Sequence, residues 1–356
     1  PTLLSDAGVI DNGRPIAADE MKDRLRKEIL ELSVYYSSNL RTGRTELVVA
    51  GAGNGAAETK AALAWMRRVM TAPDWRVDNL PRLRDLIDQQ LTGLSQRMLG
   101  AEETWVDDPR DAWWQQQTQR LPLEYLHTES FLTQAHDLHR LRWMLADPGD
   151  PAVTKEVAAF LTKLADAKKL KRAQLVSLAG LLAKGATSKD RALATWTGAA
   201  ARLSAKAAPL AQEAGKDLAA LVGELPDDSL AADWNYLCRE MAKDLQVGAP
   251  AALAHLTQLR DRLFAKWRAR FVEVGSAANQ KAIAGDVDAL VGMLSEHTSA
   301  TGTEPLPSLL SARVAERTGK APTFVGLVAP STSSGVFLNL APSTFYADTS
   351  DAAVLD

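Results

Sequence analysis

From Thr128 to Phe264 the chain reads as helix after helix, and no other feature limits its possible folds so sharply. The stretch 151–225 is rich in Ala, Leu and Lys. Its apolar residues recur at amphipathic spacing, as in Val157, Phe160, Leu161 and Leu164, so each helix has one face to bury. Pro148, Pro151, Pro209, Pro226 and Pro250 punctuate the run. Proline lacks an amide hydrogen and interrupts helices, so these positions divide the block into segments. The segments share no fixed period, which argues against a solenoid.

The flanks differ. Glu20 to Lys27 is charged and helix-forming, and the helix is expected to continue through Leu32. Ser33-Val34-Tyr35-Tyr36 and Thr45-Glu46-Leu47-Val48-Val49-Ala50 are β-branched or aromatic runs around a polar, Gly-containing loop, the pattern of an antiparallel hairpin. Leu63, Met66 and Met70 mark a helix from Ala56 that Pro73 ends. Asp78 or Asn79 can cap the next helix, with Pro81 in its first turn and Gly100 after it. A third helix is expected from Pro109 to Arg120. Beyond the helical block, Ala269-Arg270-Phe271-Val272-Glu273-Val274 reads as a strand, followed after Gly275 by a helix to about Leu294. Residues 298–308 have linker composition. Phe324–Val328 and Gly335–Leu340 read as a second hairpin, and two strands alone are marginal in water, so the sequence is expected to stop just inside another domain.

Composition narrows the function classes. The chain has 356 residues, enough for two or three domains, with 24% charged and 46% hydrophobic residues. A net charge of -3 lacks the basic footprint of a nucleic-acid binder, so no nucleic-acid partner is expected. No apolar stretch reaches membrane-span length, so no membrane partner is expected either. The chain opens on Pro1 rather than Met, so an upstream segment, with any targeting signal, is expected. The single cysteine, Cys238, excludes an internal disulfide and leaves the compartment open. Its apolar helical setting reads as a buried structural thiol rather than a nucleophile.

No complete catalytic or metal constellation is visible. Gly51-Ala52-Gly53-Asn54-Gly55-Ala56 lies between a strand and a helix, where a dinucleotide-binding loop would sit. A second parallel strand ending in Asp or Glu should follow about 20 residues on. Residues 71–79 read instead as a loop into another helix, so a tight turn requiring glycine is the plainer reading. His136 and His139 are three apart on a helix, but zinc needs three or four ligands. Neither His127, His255 nor His297 completes a set at a known spacing. Met293-Leu294-Ser295-Glu296-His297 resembles H-x-x-E-H with a thioether in place of the first imidazole, which catalytic zinc does not accept. The pairs Glu102-Glu103 and Asp107-Asp108 read as solvated faces or caps. Trp65, Trp75, Trp105, Trp113, Trp114 and Trp143 read as packing, with a groove for peptide side chains as the alternative.

The order of elements also resembles one domain of the pitrilysin/insulinase family of zinc metallopeptidases, in its presequence-protease-like branch. The likeness runs from Tyr35-Tyr36 through Thr45–Gly51, then Ala64-Trp65-Met66-Arg67-Arg68-Val69-Met70 into Pro73-Asp74-Trp75, and on through Leu80-Pro81-Arg82-Leu83. Arg268–Gly275 and its following helix resemble a closing strand and helix, and Thr323–Ala341 the opening strands of a next domain. The resemblance implies an α+β fold, an antiparallel sheet packed by helices, with a large all-helical insertion. It divides the chain into 1–127 (first part of the α+β domain), 128–265 (insertion), 266–297 (closing strand and helix), 298–321 (linker) and 322–356 (a truncated following domain). It implies a non-catalytic portion of a peptidase that encloses unstructured peptides. The partners would be those peptides and an N-terminal catalytic half carrying the zinc. No catalytic, cofactor-binding or metal ligand is placed on this chain, which alone is expected to be inactive. The family's substrate-binding Arg and Tyr would lie beyond Asp356.

The rival is a helical scaffold or protein-interaction module without enzymatic activity. Sheet topology separates the two. The peptidase reading needs Leu47–Ala50 and Phe271–Val274 in one sheet with the helices of 56–98 on one face, and strands in separate places favour the rival. A third option, a nucleotide-binding oxidoreductase, would be tested by NAD titration.

Overall fold

The computed structural model describes residues 1–39, 44–99, 131–146, 149–223, 225 and 227–296. The helix expected at 109–120, the linker, and the strands expected at 324–328 and 335–340 lie outside these residues. Two compact units divide the chain. The first comprises 1–36, 47–89 and 137–300. The second comprises 37–46, 90–136 and 301–356. Its described residues are the ends of two strands nearest their connecting loop, the end of one helix and the start of another.

The expected α+β sheet fold is not what the chain forms. The described structure is mostly helical, with two small two-stranded antiparallel sheets. A short helix, α1 (Thr2–Ser5), leads into β1 (Val9–Asp11) and β2 (Arg14–Ile16), where Val9 faces Ile16. Asn12 and Gly13 join them at φ of 49° and 80°, the left-handed pair that matches hairpin twist. Then α2 (Ala18–Glu28) carries Asp19 and Glu20 in its first turn and Arg26 and Lys27 in its last, matching the helix dipole. The helix stops at Ile29 instead of continuing to Leu32. Ile29 is extended, and the Leu30 amide donates to Ala52 O at 3.0 Å, drawing the chain into the sheet.

The second hairpin, β3 (Glu31–Asn39) with β4 (Arg44–Ala52), is longer than the apolar runs suggested. It leans on α3 (Ala56–Thr71): Leu32, Val34 and Val49 pack against Trp65 and Val69. From far along the chain α12 (Ala277–Gly292) returns to the same place. Its Ile283 and Leu290 join Leu63 and Met66 of α3 in a cluster that also takes in Leu32 and Val49. Two strands alone would be marginal in water, and these helices supply their buried face. After α3, Pro73 and a single 3-10 turn at Val77–Asn79 lead into α4 (Leu80–Leu99).

The strand expected at 269–274 is the second correction. These residues follow a 3-10 turn at Lys266–Arg268 and pair with no strand among the described residues, so the β3–β4 sheet stays two-stranded.

The helical block meets its expectation. It comprises α5 (Phe131–Met144), α6 (Pro151–Leu164), α7 (Arg172–Ala183), α8 (Arg191–Ala200), α9 (Ala208–Val222), α10 (Leu230–Val247) and α11 (Ala249–Leu263). Asp150 caps α6 by accepting from Ala152 N at 3.0 Å, with Pro151 in the first turn where its missing amide costs nothing. Asp190 caps α8 the same way at 2.9 Å. One continuous core joins Val157, Leu161, Leu178, Leu218, Trp234 and Leu245. Trp234 is fully buried, and its ring N–H donates to Leu164 O at 3.0 Å. Gly215 lets α9 close on α7: a Cβ there would lie 2.4 Å from Ala183 N.

Charges tie the helices together. Arg142 of α5 reaches Asp88 of α4 at 2.5 Å and, on α9, Glu213 at 2.9 Å and Asp217 at 2.8 Å. Arg84 of α4 also pairs with Glu213. Burial outweighs the Arg142 charge and pushes the Asp217 carboxyl up to about 6. Arg140 holds the buried Asp244 with two hydrogen bonds, at 3.0 and 2.7 Å.

Candidate functional site

The motifs that suggested chemistry resolve into local structure. In the Gly51–Ala56 loop, a Cβ on Gly53 would lie 2.5 Å from the backbone at Glu58 and Thr59. Glycine is therefore required there by close strand-to-helix packing. The loop's amide is already taken, since Asn54 N donates to Glu58 Oε2 at 2.8 Å and its side-chain amide donates to the same oxygen at 3.0 Å. A carboxylate of the chain thus takes the Asn54 amide that an anion would otherwise need. β4 pairs only with the antiparallel β3. Gly55 is extended, with no close neighbour.

His136 and His139 sit one turn apart on α5, and both are engaged. His255 is exposed on α11, while His127 and His297 lie outside the described residues. Among the described residues no group of three or more His, Cys, Asp or Glu is arranged to hold a metal ion. Met293 ends α12, and Glu296 beyond it pairs with Lys266 at 3.1 Å rather than standing on a helix as a base would. Cys238 is buried in the helical core, where desolvation pushes its thiol pKa well above the ordinary range and suppresses the thiolate. Trp65 and Trp143 are packed, with ring N–H groups donating to Glu28 and Asp217 at 2.8 and 3.0 Å. Trp75 donates to Leu3 O at 2.8 Å. Trp105, Trp113 and Trp114 lie outside the described residues, as do both acidic pairs.

What stands out is a surface that none of these motifs indicated. Among the described residues, six of the eleven exposed large apolar side chains fall between 259 and 274: Leu259, Leu263, Trp267, Phe271, Val272 and Val274. Val272 is 70% exposed and Val274 94%. Folding ordinarily hides β-branched residues of this kind, and contiguous apolar exposure marks contact surfaces.

Local geometry explains why the segment stays open. Ala265 and Ser295 form a parallel bridge: Lys266 N donates to Ser295 O at 2.9 Å, and Ser295 N to Phe264 O at 3.0 Å. The chain is thus pinned at the C-terminal end of α12 and must re-enter that helix at its N-terminus. Sixteen residues of helix span roughly 24 Å. Residues 266–276 cover that distance in the direction opposite to α12, through a 3-10 turn at Lys266–Arg268 and extended backbone at Ala269 and Ser276. Phe271, Val272, Glu273 and Val274 make no backbone hydrogen bond to another described residue. One carboxylate oxygen of Glu273 is shut away from water with no donor among the described residues.

At the pinned end lies a cavity of about 200 Å³ between the last turns of α3, α11 and α12. Its walls are Met70, Phe264, Leu290, Met293 and Leu294. Thr71, Arg260, Asp261 and Ser295 supply its polar edge. Arg260 is fixed from three sides. It stacks 5.9 Å from the centre of the Trp75 ring, donates to Thr71 O at 2.9 Å, and grips Asp261 Oδ1 at 2.9 and 2.7 Å.

Compared with known proteins, the chain matches no family model, no curated protein and no solved structure.

Proposed function

We propose that this chain is a helical protein-interaction module without enzymatic activity of its own, which binds an extended peptide segment along residues 259–274. The observation that carries this reading is the clustering of exposed apolar side chains on a stretch that ends in Phe271–Val274, whose backbone groups make no hydrogen bond to another described residue. Such a stretch offers the two things strand addition uses, open main-chain donors and acceptors and apolar side chains at alternate positions. The separation of Phe271–Val274 from the β3–β4 sheet supports this reading over a peptidase domain by the topological criterion set out above.

The test is fluorescence anisotropy with a labelled, unstructured peptide that alternates Val and Thr. The wild-type chain should bind it, and the double variant Phe271→Asp, Val274→Asp should bind at least ten-fold more weakly. Equal binding by the two proteins would sink the proposal.

One observation favours a second reading, in which the chain is a non-catalytic portion of a zinc metallopeptidase that encloses unstructured peptides. The hairpin, α3 and α12 share one apolar cluster although the helical block separates them in sequence. That is the discontinuous closure expected of a domain carrying a helical insertion. In that reading zinc and hydrolysis belong to another part of the protein. An encoded H-x-x-E-H helix upstream of Pro1 would support it, whereas stoichiometric zinc on this purified chain, or peptide cleavage by it, would overturn both readings.

A further inference from the structure

We infer that the cavity at the joined ends of α3, α11 and α12 is a receptor for one uncharged apolar side chain, of the size of Leu, Met or Phe, carried by the peptide that lies on residues 259–274. The inference rests on the interaction reading and adds the side chain it selects. Three observations carry it: size, charge and adaptability.

The volume is about 200 Å³. A dry apolar cavity of roughly 150 Å³ is enough to admit a benzene ring. The space therefore suits one large apolar side chain and is below the usual range for whole small-molecule ligands.

The charge at the rim is cancelled. Among the described residues, Arg260 and Asp261 are the only ionisable groups lining the cavity, and two hydrogen bonds at 2.9 and 2.7 Å hold them together. The remaining reach of Arg260 is spent on Thr71 O and the Trp75 face. A carboxylate entering here would have to displace Asp261, and an ammonium would meet a carboxylate already neutralised. Either charge would lose its water without gaining a partner, which is costly. An uncharged side chain loses nothing.

The walls can adapt. Met70, on α3, and Met293, just after α12, both line the space, and thioether side chains repack around varied shapes. Arg260, Asp261 and Phe264, which line the cavity, also belong to the stretch 259–274 that carries the exposed side chains. A peptide laid along that stretch can drop one side chain into the hole without leaving its path.

The experiment uses the full chain with ¹³C-labelled methionine methyls and N-acetyl-leucinamide as probe. The methyl signals of Met70 and Met293 should move together and saturate on the order of millimolar probe. Those of Met21 and Met241, buried elsewhere, should not. The amides of N-acetyl-aspartate and N-acetyl-lysine should leave all four unmoved. Met293→Trp fills the space and should abolish the response, with the unchanged Met21 and Met241 signals reporting that the chain is folded. If that variant misfolds, Leu294→Trp serves the same purpose. In the second arm, an unstructured peptide with one central Leu should bind about ten-fold more tightly than the same peptide with Ser there.

A silent Met70–Met293 pair overturns the inference, as does an equal response to a charged amide. Equal binding of the Leu and Ser peptides overturns the cavity's role while leaving the interaction reading standing. A response to N-acetyl-leucinamide with no peptide bound by the chain overturns the interaction reading and leaves the selectivity for an uncharged apolar group supported.

Discussion

The block from α6 to α10 and the segment from Leu259 to Val274 are built from similar apolar residues and put them to opposite use. In the block, Val157, Leu178 and Trp234 have no exposure, whereas Val272 is largely exposed and Val274 almost completely so. The difference lies in what the neighbouring backbone allows. Each helix of the block satisfies its own hydrogen bonds and can turn its apolar face inward. Residues 271–274 lie between the bridge at Ala265 and the start of α12 outside any helix or strand, and their backbone makes no hydrogen bond to another described residue. Burial in this protein thus follows from where backbone partners exist as well as from hydrophobicity.

Cutting into the block should give the largest effect on stability. Trp234→Ala removes a fully buried ring and the hydrogen bond to Leu164 O. Substitutions of this kind cost about 3–5 kcal/mol. Urea unfolding should show a midpoint displaced accordingly. A loss near zero would mean that the helices do not share one core, and the comparison would collapse.

The same contrast explains what could be read in advance. The helical block was legible because its apolar spacing repeats over many turns, and Pro73, Pro81 and Pro151 mark helix boundaries that the structure keeps. The β3–β4 hairpin was legible from two β-branched runs around Gly43. The Asn12-Gly13 hairpin carried an equally plain signal in a stretch for which no element was expected. The run Ala269–Val274 misled because β propensity describes a residue's fit to a pleated surface and says nothing about whether a neighbouring strand is present. The cavity was illegible for another reason. Its walls come from Met70, Phe264 and Leu290, which are far apart in sequence and individually resemble ordinary core positions.

A smaller effect tests how closely the block is packed. Gly215→Ala places a methyl group against the backbone of Ala183. Overpacking of that kind costs about 1–3 kcal/mol, although alanine is the better helix former. Thermal unfolding of the variant should show a lowered midpoint, and a raised one would show that α7 and α9 have room to part.

Charge offers a third way to sharpen the comparison, because the block buries Asp217 among other ionisable groups. Asp217 faces Arg142 and Trp143 from α5, Asp88 from α4, and Glu213 on its own helix, which also pairs with Arg84. Its folded pKa of about 6 lies above the ordinary 3.8. An acid of this kind holds its proton longer in the folded chain than in the unfolded one. The stability conferred by protonation is therefore complete below about pH 4 and is lost as pH rises through 6. Asp217→Asn removes the titration. The stability of the wild type relative to that variant should fall between pH 4 and pH 7, by an amount on the order of 3 kcal/mol at most. A flat difference in urea unfolding across that range would show that Arg142 keeps the carboxylate ionised throughout.

The smallest effect on stability belongs to the open segment, and it is the most discriminating. Val272→Asp and Val274→Asp alter side chains that touch little of the protein, so each should change unfolding free energy by no more than about 0.5 kcal/mol. If these valines were instead the edge of a sheet that forms in solution against β4, each charge would break strand packing and cost several times as much. The urea midpoint of the Val274→Asp variant therefore separates a surface kept open for a partner from a strand belonging to the fold. An unchanged midpoint, together with weakened peptide binding, places the cost of exposing Val274 in the free protein and its recovery in the complex.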